Sequence, residues 1–198
     1  KYFQHGFLDI LSNYMIHKQE IIQKKITTCR ILNEVLFIIK FYFMDAPIVI
    51  KHIKGAPGLR LLGMGPNLIP LDGLNQLKTL LNENTFWSKQ RGIKDIKKML
   101  CNSTVIVSAW EGKNLIGFGR ATSDNIYRAV LWDVVVEKRL QRKGIGRRIV
   151  NSITRSLSRS GVERIYLMTT HFESFYIKLG FSKENSQKLM IFKSNESN

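Results

Sequence analysis

Residues 129–161 read AVLWDVVVEKRLQRKGIGRRIVNSITRSLSRSG. Ala129 to Val136 is an apolar, valine-rich run that reads as a strand. A short basic loop, Gln141-Arg142-Lys143-Gly144-Ile145-Gly146, follows it. Ile145, Ile149, Ile153 and Leu157 then recur every fourth residue, the spacing of one helix face. A strand, a glycine-bearing loop and a helix N-terminus together make an anion site. Glycine lets a ligand approach the backbone, successive N–H groups converge on one point, and the helix dipole adds partial positive charge. The spacing matches neither G-x-x-x-x-G-K-[ST] nor G-x-G-x-x-G, so a nucleoside-triphosphate loop and a dinucleotide fold are both unsupported. Two glycines near a helix start also suit ordinary turn chemistry.

The surrounding composition bounds the reading. With 198 residues and 44% hydrophobic content, the chain is long enough for one domain with a real core and an appendage. Lys and Arg number 31 against 15 Asp and Glu, a formal charge of +16 that favours an anionic partner: nucleic acid, anionic membrane or a phosphorylated cofactor. Lys138, Arg139, Arg142, Lys143, Arg147, Arg148, Arg155 and Arg159 crowd around the loop with no acidic residue among them. Cys29 and Cys101 are too few for a disulfide framework; each reads as a buried apolar residue in a reducing cytoplasm. His5, His17, His52 and His171 are scattered, so no metal site is expected. No run reaches the roughly 18 apolar residues of a membrane span.

Residues 1–43 differ from the rest. Ile10 to Lys25 suits an amphipathic helix, and Ile31 to Phe43 is strongly apolar but interrupted by Glu34 and Lys40. The chain opens on Lys1 rather than Met, and this stretch is expected to be a separate N-terminal extension, with a membrane-surface anchor as the alternative. Residues 44–198 are expected to form the domain. Strands are expected at Ile48 to Ile53 and Leu59 to Met64, and helices at Leu71 to Leu81 and Ile93 to Leu100. Phe86-Trp87 reads as core by default, with a substrate pocket as the alternative. Ser103 to Trp110 and Leu115 to Thr122 form a hairpin around Glu111-Gly112-Lys113-Asn114. After the helix of the opening stretch come a strand at Arg164 to Thr169, a short helix at Phe172 to Lys178, and a closing strand at Lys188 to Phe192. The order is that of a mixed α/β (α+β) layer fold.

Gln141-x-x-Gly144-x-Gly146 after a valine-rich strand resembles the acyl-CoA loop of the GCN5-related N-acetyltransferases (GNATs). Phe175-Tyr176-Ile177-Lys178-Leu179-Gly180-Phe181 resembles that family's F-Y-x-x-x-G-F signature, and Gly117-Phe118-Gly119-Arg120 its central strands. Phe86-Trp87 and Leu131-Trp132-Asp133-Val134-Val135-Val136 are similar to the cyanobacterial and plastid branch, whose plant relatives are described as serotonin and protein-lysine acetyltransferases. The resemblance implies a three-layer fold whose central, mostly antiparallel sheet is splayed at the acyl-CoA strand. It implies acetyl-CoA as co-substrate and direct attack by an amine: an arylalkylamine such as serotonin, or a protein lysine or N-terminal amine. The location implied is the cytoplasm, or the plastid stroma if organellar; a homodimer is compatible.

By the same resemblance, Val134, Val135 and Val136 pair with the pantetheine arm. Gln141, Arg142, Lys143, Gly144, Ile145, Gly146 and Arg147 cradle the pyrophosphate, and Tyr176 lies by the CoA sulfur as general acid. Relatives place a Glu or His base where this chain has Val130 and Trp132, neither of which accepts a proton. Asp133 is the adjacent candidate, although strand alternation points it away from Trp132 unless a bulge re-aims it. Asp124, Tyr127, His171, Glu173 and a water chain are the others. Trp87, Trp110, Tyr127 and Trp132 suit an aromatic pocket or a core equally. The competing class is a basic RNA- or ribosome-binding module on an acetyltransferase-like fold, carried by the charge alone.

Overall fold

The computed structural model describes residues 46–52 and 71–192. The expectations for residues 1–43, the strand at Leu59 to Met64 and the burial of Cys29 lie outside them. The elements run β1 (Ile48–His52), α1 (Gly73–Asn84), α2 (Ile93–Cys101), β2 (Val105–Glu111), β3 (Asn114–Ser123), β4 (Arg128–Val136), a 3-10 turn (Lys138–Leu140), α3 (Ile145–Arg159), β5 (Arg164–Tyr166) and α4 (Glu173–Ile177).

The five strands lie in the order β1-β2-β3-β4-β5. Neighbours are antiparallel except β4 and β5, which are parallel. Parallel neighbours need a crossover, and α3 provides it. The sheet is mixed and mostly antiparallel, as expected. Its two faces are covered by different helices. On one, Ile145, Ile149, Val150, Ile153 and Leu157 of α3 pack on Val107, Ala109, Ile116, Ala121 and Leu131. On the other, Leu77, Leu80 and Leu81 of α1 with Ile96 and Leu100 of α2 pack on Ile106, Trp110, Phe118 and Val135. Three layers result. The glycines of β3 let α3 lie close: a Cβ at Gly119 would stand 2.7 Å from Ile149 Cγ2, and one at Gly117 2.9 Å from Ile149 Cδ1.

Three expectations are corrected. Lys188 to Phe192 is not a strand; it has no regular structure, and Leu189, Met190, Ile191 and Phe192 are all exposed. An apolar run becomes a strand only when an edge pairs with it, and β5, three residues long, does not pair with this one. Phe86 and Trp87 are not core: they stack edge-to-face on the surface, 63% and 47% exposed. Thr85 and Ser88 take the inner positions instead, where the Thr85 hydroxyl donates to Leu81 O at 2.8 Å and the two hydroxyls bond each other. Cys101 is exposed, because it ends α2 on the side away from Ile96 and Leu100.

Candidate functional site

β4 is the axis of the site. It pairs with β5 only from Arg128 to Val130, so among the described residues its outer edge has no partner strand from Leu131 to Val136. On its inner edge the register with β3 passes from Arg120↔Trp132 to Phe118↔Val135, leaving Gly119 to face both Asp133 and Val134. Two residues against one is a bulge. Its first residue, Asp133, has φ 49°, a left-handed backbone that favours glycine and that asparagine and aspartate tolerate best among the rest. The bulge switches faces. Before it Ala129 and Leu131 pack under α3; after it Val134 and Val136 do, while Val135 faces the α1–α2 side.

The strand leads into the loop. The Gln141 side chain donates to Val136 O at 3.0 Å, and Lys138 N donates to Asn84 Oδ1 at 3.0 Å, so the loop is held to the end of β4 and to the end of α1. Arg142, Lys143, Gly144 and Arg147 are exposed, and Ile145 is buried as the loop's anchor. Gly144 sits at φ 84° before the first turn of α3, and no side chain caps that helix. The first N–H groups of a helix have no partner within it, so they face outward beside the loop's cations. A Cβ at Gly146 would meet Phe175 Cζ at 3.4 Å and Val136 Cγ2 at 3.7 Å. Gly146 is therefore where strand, loop and α4 converge.

α4 explains its own motif. Gly180, at φ 90°, lets the chain reverse so that Gly180 N donates to Ile177 O and Phe181 N to Tyr176 O. Phe181 folds back on Tyr176, with ring centroids 5.8 Å apart, and Phe175 also meets it edge-to-face, at 4.9 Å. Burial between these rings pushes the Tyr176 phenol up to about 12. Val134, Val136, Phe175 and Tyr176 all pack against the core that contains Ile145 and Ile149.

Asp133 lies in an ion cluster. Arg91 Nη1 and Nη2 donate to its Oδ2 and Oδ1 at 3.0 and 3.2 Å, and Arg120 Nε donates to Oδ2 at 2.6 Å. The Asp133 side chain is 4% exposed. Burial alone would raise its pKa, but the hydrogen bonds and charges of Arg91 and Arg120 outweigh that and hold the carboxyl below its ordinary value. The Arg120 guanidinium also lies 5.7 Å from the Trp132 ring centroid. Trp132 and Asp133 thus share a face, because the bulge re-aims the second of them. Arg120 ends the Gly117-Phe118-Gly119-Arg120 stretch, but nothing local in the sequence marks Arg91, 42 positions from its partner.

Of the other proton acceptors, Asp124 Oδ1 accepts the N–H groups of Ile126, Tyr127 and Arg128 in a turn, chiefly the Arg128 bond holding its pKa down. Glu173 pairs with Lys183 at 2.6 Å. Tyr127 and His171 are exposed. The four aromatic candidates separate: Trp110 is core and donates to Ser108 Oγ, whereas Trp87 and Tyr127 are exposed and Trp132 half-buried, donating to Thr122 Oγ1.

Comparison with known proteins agrees with this geometry. The Acetyltransferase (GNAT) family profile matches residues 74–181. The uncharacterized N-acetyltransferase ycf52 of Pyropia yezoensis is 37% identical over 109 residues, 52% of this chain; the match spans 62% of that relative's length, under two thirds. The chloroplastic serotonin N-acetyltransferase 2 of Oryza sativa subsp. japonica is 37% identical over 70 residues, 35% of each chain. A solved GNAT-family structure from Xanthomonas campestris pv. campestris superposes with a TM-score of 0.56 at 19% identity, covering 74% of this chain and 94% of that one; at that identity it shows the shared fold.

Proposed function

The chain belongs to the acetyltransferase (GNAT) family, and from that premise we propose that it is an acetyl-CoA-dependent N-acetyltransferase acting on a primary amine. One observation carries the reading. Among the described residues, the outer edge of β4 has no partner strand from Leu131 to Val136, and it runs directly into an exposed basic loop and a helix N-terminus with no side-chain cap. An extended amide-bearing arm can add to such an edge as a strand would, and a pyrophosphate suits such a helix start. Val134, Val135 and Val136 would hold the pantetheine arm. Arg142, Lys143, Gly144, Ile145, Gly146 and Arg147 would hold the pyrophosphate, with Gln141 tethering the loop to β4.

Acetyl-CoA, when bound, supplies an activated acyl thioester. The protein's own tasks are then to aim the amine and to manage two protons. Tyr176, kept protonated by burial, is the proton donor in this reading. The carboxylate of Asp133 has little affinity for a proton, which favours release of the ammonium proton to water over uptake by Asp133. The exposed pair Phe86 and Trp87 and the resemblance to the rice enzyme support an arylalkylamine acceptor such as serotonin, with a protein lysine or N-terminal amine as the second candidate. Relatives from chloroplasts support a plastid location. The domain would comprise residues 44–198. Nothing in the described structure adds to the charge argument for an RNA-binding module.

Calorimetric titration with acetyl-CoA, followed by a turnover screen over serotonin, tryptamine, polyamines and lysine peptides, tests the proposal. Saturable binding and turnover of one acceptor class are expected. Absence of acetyl-CoA binding, with salt-sensitive RNA binding in its place, would overturn it.

A further inference from the structure

Asp133 occupies a strained place in the strand on which the proposed cofactor site depends. Its φ of 49° puts a side-chain-bearing residue at the first position of the bulge, where glycine is the default. Such a conformation persists only when its surroundings over-determine it. Here they do. The carboxylate is gripped from two directions, by Arg120 on the neighbouring strand and by Arg91 from the segment between α1 and α2. The Arg91 segment is itself constrained: Gln90 has φ 68°, and its N–H donates to Asn82 Oδ1 at 3.2 Å. Three charge-assisted bonds to a buried carboxylate are both strong and directional.

We propose that the Arg91–Asp133–Arg120 cluster is a lock on the β4 bulge. Asp133 acts as a positioning residue: its carboxylate fixes the left-handed turn that sets the register and facing of Val134, Val135 and Val136. The consequence is visible in the packing, because Val134 and Val136 reach the α3 side only through the one-residue offset at Asp133. Without the offset, alternation would send Val134 and Val136 to the α1–α2 side and Val135 under α3. The edge offered to an acyl-CoA would then carry the wrong set of N–H and C=O groups. The cluster also joins the strand to the segment between α1 and α2.

The inference rests on the acetyl-CoA reading, and its test keeps the two apart. Wild type, Asp133→Asn, Asp133→Gly and Asp133→Val are compared by circular dichroism, by backbone amide NMR of residues 130–136 without ligand, by acetyl-CoA calorimetry, and by kcat and KM against pH. Asparagine and glycine tolerate the left-handed turn, whereas valine does not. Asp133→Asn can still accept hydrogen bonds from Arg91 and Arg120 through its amide oxygen, so the lock predicts near-native amide shifts there and an acetyl-CoA Kd within about tenfold of wild type. Asp133→Gly can adopt the turn but has nothing for the arginines to hold, so the lock predicts shifted amides and a Kd weakened more than tenfold. It predicts at least as large a change in the Val variant, which loses both the carboxylate and the tolerance for a left-handed backbone. The Asn variant should lose no more than about tenfold in kcat and keep the wild-type acidic limb. If Asp133 instead accepts the substrate proton, the Asn variant loses a hundredfold or more in kcat, loses the acidic limb and binds acetyl-CoA normally; that result overturns the lock. So does a Gly variant whose amide shifts and Kd match those of wild type. Should the Val variant fail to fold, the Asn and Gly variants decide. If wild type does not bind acetyl-CoA, the functional reading fails, and the amide shifts alone still judge the lock.

Discussion

At the scale of the residue, burial and charge give two polar groups opposite characters. Tyr176 is enclosed by Phe175 and Phe181, and burial pushes its hydroxyl up to about 12, so it holds its proton throughout the physiological range. General acid catalysis contributes a factor of about 10² to 10⁴, and a donor whose pKa lies well above the operating pH belongs at the lower end of that range. Tyr176→Phe should therefore lower kcat by about a hundredfold while leaving acetyl-CoA Kd within about twofold, since the ring packing is retained. Equal kcat for the two proteins across pH would remove Tyr176 from the proton path. Asp133 has the opposite character, a carboxylate held ionised by Arg91 and Arg120 despite burial. Tyr176 was legible in the sequence because the spacing from Phe175 to Phe181 is local. Arg91 was not, because nothing in a linear pattern announces a partner 42 positions away.

At the scale of the element, the decisive pieces are β4, its loop and the first turn of α3. Gly144 meets open space where a Cβ would stand, yet its φ of 84° penalises any side chain. A non-glycine residue in that region costs about 1–3 kcal/mol, and a β-branched one lies at the upper end. Gly144→Val should thus raise acetyl-CoA KM by about tenfold to a hundredfold if the loop backbone must be held in this shape to bind. An unchanged KM would contradict the loop's role. Gly119 answers to packing rather than dihedral angle. A Cβ there would lie 2.7 Å from Ile149 Cγ2 and 3.1 Å from Ile153 Cδ1, both in the buried face of α3. Gly119→Ala should destabilise the fold by about 1–3 kcal/mol, read as a lower midpoint in urea with an unchanged slope. Helices and hairpin strands were legible to within a few residues, since periodicity and turn residues are local signals. The bulge was not, because an aspartate in left-handed backbone inside a valine-rich strand contradicts local propensity and is sustained by distant charges.

At the scale of the whole molecule, the ion cluster joins the α1–α2 layer to the central sheet, so protonating it should loosen the fold. Burial raises the carboxyl of Asp133, but Arg91 and Arg120 outweigh it, and its native pKa lies below the ordinary 3.8. The unfolded chain therefore takes up the proton first on acidification. The stabilisation is complete above the unfolded value and is lost as pH falls through the lower native one. Thermal midpoints should fall below about pH 4, and more steeply in wild type than in Asp133→Asn. Parallel profiles for the two proteins would show that the cluster contributes nothing to acid stability. The sequence by itself determined the layered α/β order, the basic glycine loop at the start of α3, the F-Y-x-x-x-G-F turn and hence the family, because each depends on neighbours a few residues apart. Only the tertiary structure decided that Phe86 and Trp87 face outward, that Lys188 to Phe192 finds no strand to pair with, and that Asp133 shares a face with Trp132 under two arginines. Those outcomes depend on which distant edge or charge arrives to satisfy a group, and folding alone brings them together.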